Sequence, residues 1–136
     1  MGLDPAIAAG LAYLVGGHFA GIVPIIWLIV EKRNRFIRFH AAQALLLLAA
    51  YIAGLLVMGV LFVATMLIAL AAGADNVTAG NIGGSFAVVY LVALTVSLLV
   101  CQVWGIIAGF RGKFVQFPLV GGLAARLVGG RPVPVY

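Results

Sequence analysis

Hydrophobic positions dominate the chain in three long runs, separated by short polar breaks. The first, about 5–30, carries no charge and is long enough to cross roughly 30 Å of hydrocarbon as a helix. Asp4 stands ready as an N-cap and Pro5 suits a first helical turn. Gly16, Gly17, Gly21 and Pro24 predict a kink in its middle. The second run, about 39–73, exceeds a perpendicular crossing and predicts a tilted or protruding helix. A glycine-rich polar stretch, 74–84, reads as a loop and contains the sequon Asn76-Val77-Thr78. The third run, about 85–110, stops at Arg111-Gly112-Lys113. Phe117-Pro118 breaks any continuation. The stretch 119–128 is apolar, carries Arg126 and is too short to span, so it reads as an interfacial helix before a flexible Gly-Gly-Arg-Pro tail. The expected fold is all-α and integral to a membrane: three transmembrane helices plus a C-terminal interfacial helix, in one membrane domain over 1–136.

Composition agrees with lipid as part of the solvent. Residues are 65% hydrophobic and 8% charged, whereas a soluble domain carries roughly 25% charged residues. The net charge of +5 does not point to nucleic acid, because the basic residues bracket apolar runs. Lys32, Arg33, Arg35 and Arg38 fill one short loop, and Arg111, Lys113, Arg126 and Arg131 follow the third run. Asp4 and Asp75 mark the other ends, which hold no Lys or Arg. The positive-inside rule then predicts a multi-pass protein of the inner (plasma) membrane, N-terminus outside and C-terminus cytoplasmic. The N-terminus lacks the basic region and cleavage site of a secretory signal, and Ala6 does not fit myristoylation. The single cysteine, Cys101, lies in an apolar run and reads as a packing residue.

The most specific stretch runs from Glu31 to Ala44. Phe36, Phe39, His40 and Gln43 recur at helical spacings, with Arg35 and Arg38 placed to reach phosphates. Arg35, Arg38, Phe39, His40 and Gln43 are therefore the candidate face for docking lipid headgroups or a partner; the plainer alternative is an anchoring belt. Tyr13-Leu14, Trp27-Leu28, Glu31-Lys32, Asn34-Arg35-Phe36, Arg38-Phe39-His40-Ala41 and Gln43-Ala44 also resemble a widespread family of small prokaryotic membrane proteins. That family is distantly related to the Tic-type import channel subunit of the chloroplast inner envelope. The resemblance extends weakly to Lys113 and Pro118, implies no enzymatic activity, and implies protein conduction only for the plastid relatives.

His18 lies near the middle of the first run, and an ionisable side chain at that depth is a functional candidate. Gly16, Gly17, Ala20 and Gly21 leave room for a flat tetrapyrrole with the imidazole as axial ligand. The alternative is an imidazole bonded to a neighbouring helix, and no cofactor is expected. His40 sits too far from His18 in depth to share such a ligand. Gly17-x-x-x-Gly21 and Gly105-x-x-x-Gly109 fit the small-residue helix contact motif, and Trp27 and Trp104 read as belt residues at the inner interface. The three runs hold no Asp, Glu, Lys or Arg, and no nucleophile–base pair, metal cluster or phosphate loop is present in the sequence. The leading expectation is a non-enzymatic accessory, scaffolding or assembly subunit whose partners are anionic membrane lipids and other membrane subunits. An oligomeric channel and a haem- or chlorophyll-binding subunit are the alternatives.

Overall fold

The computed structural model describes residues 4–16, 21–118 and 120–130, so the expected flexible end, 131–136, lies outside it. These residues form helices α1 (Pro5–Gly16), α2 (Ile22–Val30), α3 (Arg35–Ala71), α4 (Asn76–Phe110) and α5 (Val120–Leu127), with no strand among them. Two of them, α3 and α4, are long and apolar enough to cross a membrane. At 1.5 Å per residue, 37 and 35 residues extend about 55 and 53 Å, well beyond the roughly 30 Å of hydrocarbon.

The first apolar run, expected as a single span, is not one continuous helix among the described residues. It is two helices of 12 and 9 residues, which pack against each other. Neither approaches the ~20 residues a crossing needs. The physical reason lies at Gly21, which precedes α2 with φ +69°, a left-handed conformation that breaks helix continuity. A Cβ there would also meet Leu45 Cδ2 at 2.8 Å. Pro24 falls in the first turn of α2, where its missing N–H costs no helical bond. The glycine and proline expected to kink a helix instead lie at the start of α2.

Each junction is closed locally. Asp4 caps α1 through the Ala6 N–H at 2.8 Å. In the four-residue link between α2 and α3, Glu31 Oε1 accepts the Arg33 and Asn34 N–H groups, each at 3.0 Å. Asn34 Oδ1 then accepts the Phe36 N–H at 3.0 Å. This cap explains why α3 begins at Arg35 rather than near 39. Asp75 does the same for α4, accepting the Val77 and Thr78 N–H groups at 2.9 Å. The loop expected over 74–84 is accordingly helical from Asn76 onward. Gly112, at φ +64°, terminates α4 in a Schellman arrangement: Lys113 N–H bonds Ala108 O and Gly112 N–H bonds Gly109 O.

By compactness the chain divides into two units, 1–49 with 99–136, and 50–98. In the second, the buried residues are Gly54, Ala69, Ala79 and Gly83. Gly54 faces Leu94, and Gly83 sits against the Phe62 carbonyl. The large side chains point outward: Leu56, Val60, Ile68 and Val89 are each 68–69% exposed. Small residues inside and large apolar ones outside invert the soluble pattern and fit helices that approach closely in lipid.

The first unit holds the main core. Ala8, Ala12, Tyr13, Trp27, Ile37, Ala41, Ala44 and Phe117 form one buried cluster. Phe39 and Ala42 form another with Ala124, Ala125 and Val128. The interfacial segment is thus a helix that buries one face on α3, while Leu123 and Leu127 remain exposed.

Candidate functional site

The site grows from the way α1 meets α4. A Cβ on Gly109 would lie 2.7 Å from Gly10 N, and one on Gly105 would lie 2.6 Å from the Tyr13 ring. The Gly105-x-x-x-Gly109 motif is therefore occupied by α1 of the same chain. One turn further back along α4, Gln102 Nε2 donates to the Tyr13 carbonyl at 3.0 Å. Ascending from Gly10 to Tyr13 descends from Gly109 to Gln102, so α1 runs antiparallel to the end of α4. Similarly, Gly21 lies against Leu45 and Leu48, while Leu28 packs on the cluster of Phe39 and Ala42. Hence α2 runs antiparallel to the first turns of α3.

This packing drives the Tyr13 side chain between helices. Its hydroxyl lies 3.0 Å from His40 Nδ1 and 3.1 Å from Gln43 Oε1. Tyr13 is 2% exposed, and His40 and Gln43 are fully buried. His40 and Gln43, three residues apart on α3, share the face that α1 covers. Rings enclose the imidazole: Phe36 at 4.5 Å, Phe39 at 5.5 Å, Tyr13 at 5.6 Å and Phe114 stacked at 6.1 Å.

One hydroxyl proton must serve two neighbours, which restricts the protonation pattern. If Tyr13 donates to Gln43 Oε1, then His40 Nδ1 must carry its proton and donate to the Tyr13 oxygen. If the Gln43 amide is turned over, its Nε2 donates to Tyr13, and Tyr13 donates to Nδ1. The second pattern puts the His40 proton on Nε2. Either way the three side chains form one connected network. Its buried His40 Nε2 and Gln43 Nε2 have no close partner. The network ties α1 to α3, and nothing in it pairs a nucleophile with an accessible base. Among the described residues no group of three or more His, Cys, Asp or Glu gathers to hold a metal.

The predicted docking residues separate. Arg35 is exposed and Arg38 half-buried, its Nε without a partner. Phe39, His40 and Gln43 belong to the interior. His18, the candidate axial ligand, lies outside the described residues. Of the two belt candidates, Trp27 is buried in the core, 6% exposed, and Trp104 is 59% exposed. Tyr13 is the residue that sequence reasoning passed over as a site. The available signal was a phenol deep in a charge-free run, where a buried hydroxyl needs a partner. Outside the apolar helices, Glu31 has its pKa lowered by the Asn34 and Arg33 N–H groups. The Thr78 N–H and hydroxyl lower that of Asp75.

Two membrane-length helices, a helical hairpin against their ends and an internal polar tie define a small helical membrane protein. A family model for the magnetosome magnetite crystal formation proteins, MamF/MmsF, matches residues 5–124. The chain belongs to that family. This corrects the resemblance to relatives of the Tic-type import channel subunit: the matching stretch covers nearly the whole chain and includes the Glu31–Ala44 residues on which that resemblance rested. No curated protein and no solved structure matches the chain.

Proposed function

We infer that this chain is a non-enzymatic accessory or assembly subunit of the membrane in which magnetite crystals form. The observation that carries the reading is the distribution of polar and apolar groups. The buried polar side chains Tyr13, His40 and Gln43 are spent on each other, while α3 and α4 turn large apolar residues outward. Such a surface is suited to lipid and to other membrane subunits, not to a soluble substrate. Arg35 and Arg38, at the start of α3, meet anionic headgroups at the membrane surface.

Two helices, α3 and α4, make the crossings in this reading. The pair α1 and α2 forms a re-entrant hairpin, because the antiparallel contacts bring Gly10 beside Gly109 and return Glu31 to the start of α3. Its first residues therefore share the basic side with Arg35 and Arg111. By the positive-inside rule both termini then face the cytoplasm, in place of the N-terminus outside.

The test is native mass measurement of the chain in mild detergent, paired with electron microscopy of crystals in cells lacking it. The expected result is a hetero-complex with other membrane proteins, and altered crystal size or shape restored by the wild-type chain. A homo-oligomer alone, or unaltered crystals, overturns the reading.

A further inference from the structure

The outer face of α4 in the first unit carries a shallow groove of about 590 Å³, lined by Leu99, Val100, Val103, Trp104, Ile107 and Arg111. Its walls are apolar and open: Val100, Val103 and Trp104 are 52–59% exposed. Its end is cationic, where the exposed Arg111 follows the last helical residue. Beside it Gly112 leaves open space, with no atom within 4 Å of where a Cβ would stand.

The dimensions select an occupant. From Leu99 to Arg111 is twelve residues, about 18 Å along the helix, close to the ~15 Å of one leaflet's hydrocarbon. We propose that this groove is a binding site for a single anionic phospholipid, its acyl chain along Leu99, Val103 and Ile107 and its phosphate on Arg111. A second copy of this chain fits less well. Copies in one membrane share an orientation, so a two-fold pairing through this face sets Arg111 against Arg111. Trp104, seven residues or about 10 Å below Arg111, lies within the acyl-chain region, where a label on the lipid chain reaches it. The proposal rests on the reading of α4 as a membrane span.

The two tryptophans supply the assay, since Trp27 is 6% exposed and Trp104 is 59% exposed. The full chain is reconstituted in phosphatidylcholine vesicles containing an equal minor share of dibrominated phosphatidylglycerol or dibrominated phosphatidylcholine. Bromine quenches an indole in contact with it. A Trp104→Phe chain supplies the Trp27 background. The expected result is an apparent affinity at Trp104 about five-fold higher for the anionic lipid, the factor carried by one basic side chain at such a surface. Arg111→Gln should bring the two lipids to equality while quenching persists. Equal quenching by both lipids in the wild type, or a preference that survives Arg111→Gln, overturns the site. Absent quenching by both from an inserted chain means a protein copy covers the face, and overturns it too. A chain that fails to enter the vesicles at all refutes the spanning reading itself.

Discussion

Replacing Tyr13 by phenylalanine isolates the polar tie, because it removes one oxygen and keeps the ring. The ring stays against Gly105 and edge-on to His40 and Phe117. What is lost are the contacts at 3.0 Å to His40 Nδ1 and 3.1 Å to Gln43 Oε1. His40 Nε2 and Gln43 Nε2 already lack close partners, so both buried side chains would then have no hydrogen bond. A buried group stripped of its partner costs about 1–3 kcal/mol, and interhelical bonds in membrane proteins average nearer 0.6 kcal/mol. Two such losses come to about 2 kcal/mol. In a chain of this size that lowers the melting temperature by roughly 6 °C. Thermal unfolding in mild detergent reads it, using a thiol dye on Cys101. That free, half-buried cysteine packs on the cluster containing Tyr13. Adding Gln43→Leu to Tyr13→Phe should recover part of the loss, since the stranded amide is then gone. A Tyr13→Phe chain that melts with the wild type refutes the argument, as does a double variant whose losses simply add.

The helix contact gives a second expectation. Gly109→Val places a side chain 2.7 Å from backbone at Gly10, which cannot rotate away, so about 1–3 kcal/mol is lost. Gly84→Ala, in open space on α4, should gain up to about 1 kcal/mol. Equal melts for the two would count against α1 docking on α4. The Glu31 cap makes stability fall in acid. Its folded pKa lies below the ordinary 4.5, so its contribution is complete above that value and disappears as pH falls through the lowered one. Melts recorded down the acid limb should show Glu31→Gln flattening this decline, and an unchanged decline would remove Glu31 as its source. Reporter tags at the two termini should label the same compartment, with a tag beside Asp75 labelling the opposite one. Opposite labels at the termini would restore three crossings.

Much of the architecture was legible in the chain itself. Segments of apolar residues longer than a bilayer needs, with charge confined to their ends, dictate membrane helices whatever the packing. That reasoning located α3, α4 and the helix near 119–128, and it placed the end of α4 before Arg111 and Gly112. It also singled out Glu31 to Ala44, where the structure places two of the three side chains of the polar network. Tertiary structure decided what periodicity cannot contain. Hydropathy counts apolar residues but not the direction of the chain, so the run Pro5–Val30 reads as one crossing and says nothing of the left-handed Gly21 against Leu45 and Leu48. A spacing of three and four puts Phe39, His40 and Gln43 on one face, but only the arrival of α1 over His40 and Gln43, and of α5 over Phe39, determines that this face is inside. Tyr13 became their partner because Gly105 and Gly109 admit α1 close enough for its hydroxyl to reach, a distance that depends on residues some ninety positions apart in the chain.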